Sequence, residues 1–205
     1  MYVPGFNRMD DVNEMLAFIK KYSFGILVSS RKGVPVATHL PFIAVMDGEM
    51  VKFRTHFAIA NDHWQSVSNR TESLAIFSGP HAYITPTLYD KVESVPTWNY
   101  IAVHAYGTIE TFAYHDQPER LEAMLVEMID YYEASYQPQW QSLSERFRNG
   151  IKQGIVGIEM TVTRLQGKAK LSQNKPHHEQ ARISDALAQD SDPMVKEIAY
   201  AMQAL

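Results

Sequence analysis

Apolar and polar residues alternate along much of the first half of this chain, and the alternation predicts strands. Phe24–Ser30 reads as one strand, Arg31-Lys32-Gly33 as a tight turn, and Val34–Val45 as the returning strand. On the return, Val34, Val36, Thr38, Leu40 and Phe42 share one face while Ala37 and His39 share the other, because successive side chains on a strand project to opposite sides. Asp47-Gly48 makes the next turn. Met50–His56 then sets Val51, Phe53 and Thr55 against Lys52, Arg54 and His56. Leu74–Phe77 is a dense apolar segment ending at Ser78-Gly79-Pro80, and Asn99–Thr111 alternates again, with Ile101, Val103 and Ala105 opposite Tyr100, His104 and Tyr106. With Ile155–Arg164 there are six or more antiparallel segments, a count that favours a small closed barrel.

Helical spacing takes over elsewhere. Asp10 or Asp11 can cap a helix carrying Val12, Met15, Leu16 and Ile19 on one stripe. Ala58–Trp64 reads as the start of a short helix with Asn61 as its cap, and helix starts attract anions. Asp116 is placed to cap a helix striped by Leu121, Met124, Leu125, Met128, Ile129 and Tyr132, with a second helix over Leu143–Ile151. The tail adds amphipathic segments at Glu179–Ala188 and Pro193–Leu205, able to pack on their own barrel or on a partner. The predicted fold is mainly β with flanking helices. A barrel domain spans 1–168 with helices inserted at about 116–151, and 169–205 forms a C-terminal helical tail, not an independent domain.

Between the two apolar runs of the central stretch, Pro80, Pro86 and Pro96 stiffen the backbone beside His81, Tyr83, Tyr89, Trp98 and Asn99. Proline fixes φ and removes a donor, so this is a shaped loop carrying side chains suited to binding. On the next strand, the row of Tyr100, His104 and Tyr106 stands where a solvated face would show Lys, Glu or Ser. Such a face is covered by a partner subunit, by a flat ligand or by a second layer of the same chain.

The 205 residues, 45% hydrophobic and 20% charged, describe an ordinary globular chain with room for a sizeable core. A net charge of -4 gives no general footprint for nucleic acid, so any DNA contact needs a local patch. Cysteine is absent, which removes disulfides, thiol catalysis and thiolate metal sites and fits a reducing compartment. No basic leader and no apolar run of membrane-spanning length is found, so a cytoplasmic protein with no membrane partner is expected.

Of the 8 histidines, His39, His56, His63, His81 and His104 fall on strands or near strand ends. No HxH or HExxH pairing joins them and no carboxylate pattern completes a site, so no metal is expected. The adjacent His177-His178 reads as a solvated turn. Ser78-Gly79 lacks the context of an activated serine, and no glycine-rich phosphate loop occurs. A cofactor cradle built from strand faces and loops remains.

Several stretches carry a resemblance to a known family. They are VPVATHLP from Val34, HFAIANDHW from His56, FSGPHAYITPTLY from Phe77, VPTWNYIAVHAYG from Val95 and IVGIEMTVTRLQGKAKLSQNK from Ile155. Taken jointly, the GPHAY, VPTWNY and KLSQN elements are far more specific than any one of them. Nearly end to end, the chain resembles the PaiB family of FMN-binding negative transcriptional regulators. The resemblance implies the FMN-binding split β-barrel, similar to that of pyridoxamine-phosphate oxidases, in which two subunits pair and flavin sits at the homodimer interface.

If FMN binds as in split barrels generally, the resemblance puts its phosphate near Arg54, Thr55, His56 and Asn61. The isoalloxazine ring would lie near Ala37, Thr38 and His39, with Trp98 or a tyrosine as a stacking surface. His81, Tyr83, Asn99, Tyr100, His104 and Tyr106 would form an interface or ligand face, joined by Lys168, Lys170, Gln173 and Asn174 beside the tail. One departure matters. Pyridoxamine-phosphate oxidases carry a Ser-Arg-Lys type of cluster where this chain has Ala58-Ile59-Ala60. Fewer charge-assisted phosphate contacts predict FMN affinity lower by about tenfold or more, and isolation of the protein without flavin.

The function implied by the resemblance is a dimeric flavin-binding negative regulator of transcription, a repressor sensing flavin or its redox state. No helix-turn-helix signature supports direct DNA reading, and the catalytic residues of any enzyme are undefined. Two other classes stay open: an FMN-dependent oxidoreductase or heme-handling split-barrel enzyme, in which the side chains near the flavin would serve as donors, and a flavin-free dimeric interaction module.

Overall fold

The computed structural model describes residues 1–67 and 71–205. In chain order the elements are β1 (Arg8–Met9), α1 (Val12–Lys21), β2 (Phe24–Arg31), β3 (Val34–Pro41), β4 (Ile43–Asp47), β5 (Met50–Ala58), β6 (Ser73–Ile84) and β7 (Thr97–Ala113), then α2 (Pro118–Glu133), α3 (Gln137–Ser142), α4 (Glu145–Gln153), β8 (Ile155–Lys170), α5 (His177–Ala188) and α6 (Pro193–Gln203). Hydrogen bonds order the eight-stranded sheet β3-β2-β6-β7-β8-β5-β4, with β1 on β8. The fold is mostly antiparallel β with flanking helices and a helical C-terminal segment, as the alternation predicts.

The first hairpin forms where the pattern places it. β2 and β3 pair antiparallel in the register Ile26↔His39 and Val28↔Ala37. Lys32 and Gly33 turn the chain with φ of 52° and 83°, the positive values that a two-residue turn needs to match strand twist. The predicted single strand Val34–Val45 is instead two. β3 ends at Pro41, Phe42 N donates to Ser23 O, and β4 pairs with β5. Proline brings no donor to a ladder, and Phe42 is fully buried one residue later, so the chain turns a corner there and changes partner.

β6 runs through Ser78-Gly79-Pro80, which reads as a stop in the sequence. Its pairing with β2 covers Leu74–Ile76. Pro80 lies beyond that register, where a missing N–H costs the β2 ladder nothing. α2 is preceded by Gln117, which makes no side-chain cap, and starts with Pro118. Asp116 is therefore not its cap; proline at the first helical position, with its φ already set, opens the helix. The helix expected over Leu143–Ile151 is α4, capped by Ser144, whose Oγ accepts from Phe147 N. His177-His178 is exposed to solvent as expected, but as the first turn of α5 and not as a separate turn.

The chain divides into two compact units. Unit 1 comprises Met1–Phe18, Phe77–His104 and Gln166–Leu205; unit 2 comprises Ile19–Ile76 and Ala105–Leu165. In unit 1, Ile183, Leu187, Ile198 and Met202 of the two tail helices bury against Ala82, Ile84, Tyr89 and Leu171. Each such aliphatic side chain stabilises by about 1.5–3 kcal/mol, so the tail belongs to the core of its own chain. In unit 2, α2 lays Leu121, Met124 and Met128 on Ile43 and Phe112. Phe42 and Phe53 meet edge to face at 6.2 Å.

Candidate functional site

The residues expected from sequence to form a site fall into two groups, one in each unit. In unit 2 the alternation of β5 holds. Val51, Phe53, Thr55 and Phe57 are buried, and Lys52, Arg54 and His56 occupy the other face. Arg54 does not offer a free guanidinium. Its Nε donates to Glu159 Oε2 at 2.7 Å, and its Nη1 donates to both oxygens of Glu127 at 2.8 and 2.6 Å. Lys52 is likewise held, by Asp47 at 2.8 Å and Glu159 at 3.1 Å. Thr55 is fully buried and its hydroxyl has no partner among the described residues, so it faces the core rather than a ligand. His56 is half-buried, and its Nδ1 has no partner among the described residues. The cations of this face are already neutralised, so it does not fit a flavin phosphate.

Asn61 is a cap as expected, but the segment it caps, Asp62–Gln65, is a single 3-10 turn. The His63 N–H at its start is taken by Asn61 Oδ1 at 3.1 Å, so the anion site expected of a helix start is not formed. The turn serves to hold His63, which the sequence offers only as one of several scattered histidines. Its ring is buried, with Nε2 2.8 Å from Ser29 Oγ and Nδ1 2.8 Å from Thr38 Oγ1. Asn61 Nδ2 donates to Thr38 Oγ1, Ser66 Oγ donates to His63 O, and the two serine hydroxyls are 3.3 Å apart. One directed chain satisfies every group. Asn61 donates to Thr38 and Thr38 to Nδ1; Nε2–H donates to Ser29, Ser29 to Ser66, and Ser66 back to the His63 carbonyl. A neutral imidazole is the centre of this knot.

Burial depresses the pKa of His63 below its ordinary value of 6.5, although Asp62 opposes the shift. Burial alone does the same for His56. At His104 burial acts first and the chain's amino terminus adds to it. Depressed folded-state values mean that the unfolded chain binds protons more readily. The stabilisation they bring is complete above about pH 6.5 and is lost as the pH falls through the folded-state values. Thermal unfolding should therefore show a lower Tm at pH 5.5 than at 7.5, and a Tm flat across that range would refute the neutral knot. His63→Ala should cost about 2–4 kcal/mol by urea denaturation, since it takes a partner from the buried Ser29 and the half-buried Thr38 and opens a cavity.

Ala37 and His39 are exposed on the outer face of β3, and Thr38 is turned inward to His63. Tyr106 carries the guanidinium of Arg164 over its ring at 3.8 Å.

In unit 1 the central stretch gathers an aromatic cluster at the surface. Trp98 is 52% exposed and Tyr83 50%. The Trp98 ring lies 5.8 Å from Tyr83, edge to face, and 6.0 Å from His81. Such a group presents a broad apolar surface with polar tips. Tyr100 is half-buried under Lys168 Nζ, 4.9 Å above its ring. The row read from β7 is thus partly covered by cations of β8. Asn99 points inward and is fully buried, its Nδ2 donating to Ser172 Oγ at 2.9 Å. It belongs to the core and not to an interface or ligand face. Gln173 is also structural; it accepts from Leu171 N at 2.7 Å and donates to Ala169 O at 2.6 Å, closing the turn after β8.

Potential metal ligands meet in one place among the described residues, at Asp90, His178 and Glu179. Arg182 donates to Asp90 Oδ1 at 2.9 Å and Lys175 stands 3.6 Å from Glu179 Oε2. Two cations already occupy the acidic groups, so the cluster is an ion-pair clamp between the loop and α5.

Residues 1–164 match the family described as "Putative FMN-binding domain". A Bacillus subtilis protein named "Protease synthase and sporulation protein PAI 2" is 33% identical over 203 residues, 99% of this chain and 97% of its own. Among solved structures, the flavocytochrome Anf3 from Azotobacter vinelandii superposes with a TM-score of 0.62 at 13% identity, over 82% of this chain and 72% of its own. The FAD and heme binding protein from Mycobacterium smegmatis gives 0.59 at 12% identity, over 80% and 73%. At these identities the two structures speak for the fold, which they share. The match along residues 1–164 and the near full-length bacillar relative together show that this chain belongs to the PaiB family of FMN-binding-domain proteins.

Proposed function

We propose that the protein binds FMN as a homodimer and acts as a negative regulator of gene expression. Membership of an FMN-binding-domain family supports the flavin, and the name of the B. subtilis relative, which refers to sporulation, supports the regulatory role. The observation that carries the reading is the exposed cluster of Trp98, Tyr83 and His81. Exposed aromatic surface of this kind calls for a flat partner or a second subunit.

The fit of the chain to flavin is good at the ring and poor at the phosphate sites expected on β5. Trp98 supplies a stacking face, and Tyr83 and His81 supply hydrogen-bonding tips beside it. Bound FMN would supply electron transfer; the protein's own residues hold the ring, orient it and exclude water from one side. The net charge of -4 weighs against direct DNA binding. Regulation is proposed to pass through a surface that flavin or its redox state alters.

Titration of flavin-stripped protein with FMN, followed by flavin fluorescence with native mass in parallel, should saturate at about micromolar concentration or below and report a dimer. Trp98→Ala should weaken binding by up to about tenfold, the value of one aromatic stack. Fluorescence that never saturates would sink the flavin reading. Rapid bleaching by a nicotinamide donor would move the protein to the oxidoreductases.

A further inference from the structure

Unit 1 contains a half-open cavity of about 420 Å³ beside the turn that leaves β8, with lysine side chains set among apolar walls. Its walls include Lys91, Lys170 and Lys175, with Glu93 as the one acidic side chain, and Thr97 and Asn174. Lys170 is fixed in place, its Nζ donating to Thr97 Oγ1 and to Trp98 O at 2.8 Å. These are neutral acceptors, and a third N–H remains. Lys168, two residues back and therefore on the same face of β8, is buried. It donates to Tyr2 O at 3.2 Å and sits over Tyr100. Among the described residues neither Lys168 nor Lys170 pairs with a carboxylate.

A buried cation without a counter-ion is costly. Lys170 shows that cost: burial, and then the charge of Lys168, pull its pKa below the ordinary value. Lys175 stacks on Tyr89 at 3.5 Å and has only the longer 3.6 Å approach to Glu179. Neither Lys91 nor the amide of Asn174 has a side-chain partner among the described residues. The backbone is also bent toward this end. Ser172 holds a φ of 63°, an unusual conformation for a residue other than glycine. The buried Asn99–Ser172 hydrogen bonds and Gln173 keep the strained turn closed, which sets Asn174 and Lys175 on the cavity wall.

We infer that this cavity binds a phosphomonoester, its dianion held by Lys170, Lys175 and Lys91 with Asn174 as a neutral donor. Three compact ammonium groups, of which Lys175 is shared with Glu179, outnumber the acidic groups Glu93 and Glu179 and leave a net positive site, and lysine serves phosphate as a point charge. The volume exceeds that of a bare phosphate and leaves room for the first atoms of the esterified group. The inference stands on the cavity's own residues and does not require the flavin reading. The phosphate could be that of FMN or that of a separate small phosphomonoester.

The test uses full-length protein with FMN, riboflavin and ribose 5-phosphate as probes, by fluorescence for the flavins and by calorimetry for the sugar. Lys170→Gln should weaken the bound phosphomonoester by about tenfold or more, the loss of one charge-assisted contact. Lys91→Gln, on an exposed loop where folding is not at risk, should weaken it about threefold. Lys32→Gln removes the same charge elsewhere and should change nothing. If FMN weakens in both cavity variants while riboflavin is unchanged, the flavin phosphate occupies the cavity. If FMN is unchanged and ribose 5-phosphate weakens, a separate phosphomonoester does. Binding of ribose 5-phosphate without either flavin would remove the flavin reading and leave this one standing. Wild-type affinity for both phosphorylated probes in both cavity variants, or no binding of either probe to the wild type, would overturn it.

Discussion

Gly107→Ala should unfold the protein or leave it barely stable. A Cβ at Gly107 on β7 would overlap the carbonyl oxygen of Thr161 on β8 and lie 2.9 Å from its carbonyl carbon. Those are backbone atoms of a neighbouring strand, and no rotamer can move them aside. Relief would require spreading the two strands, so a loss of about 4 kcal/mol or more is expected. Against a total stability of about 5–15 kcal/mol that is a large share. Gly150→Ala is the matched control. It lies in α4 with nothing within 4 Å of its added Cβ, and there alanine should gain about 0.5–1 kcal/mol through helix propensity. Urea denaturation of the pair should show opposite signs, and equal midpoints would contradict the strand packing.

Glu159 should be the most costly charged residue to remove. Its carboxylate, 9% exposed, accepts from Lys52 at 3.1 Å, from Arg54 at 2.7 Å and from Arg120 at 3.3 Å. Glu159→Ala removes the carboxylate that the three cations share and leaves Lys52, Arg54 and Arg120 with their outer partners Asp47, Glu127 and Glu110, for which about 2–3 kcal/mol is expected. Glu159→Gln keeps the shape and some of the hydrogen bonds and should cost about half as much. Burial by itself would raise the Glu159 pKa; hydrogen bonds from Arg54 and Lys52 outweigh it and leave the value below 4.5. A depressed carboxylate pKa fixes the direction of the pH dependence. The stabilisation is present above about pH 4.5 and fades as the pH falls through the folded-state value. The wild type should thus lose more stability between pH 5 and 3 than Glu159→Gln does, and parallel curves would refute the assignment.

The hairpin, the alternation of β5, the cap at Asn61 and both tail helices could be read from the chain because each depends on neighbours in sequence. The break at Phe42 could not, because it is decided by burial of that ring and by β4 meeting β5. The site residues divide on the same line. Arg54 looked free because its carboxylates, Glu127 and Glu159, lie 73 and 105 positions away. Asn99 and Gln173 carry amide groups that suit a ligand, yet the partners they satisfy are an interior serine and their own turn. Trp98 stands at the surface and Lys170 lines a cavity, while α5 and α6 pack on Ala82 and Leu171.

The composition of unit 1 has a consequence for synthesis. Its core is assembled from an early segment, a middle one and the last forty residues, Gln166–Leu205. On the ribosome, Ala82 and Ile84 emerge more than ninety residues before the Ile183 and Ile198 that cover them. Until then the middle segment has an open apolar face, the kind that chaperones and proteases recognise in nascent chains. Unit 2 draws on nothing beyond Leu165 and can begin to order while the tail is still being translated. A chain cut short before α6 would leave Ala82, Ile84 and Leu171 without the cover of Ile198 and Met202.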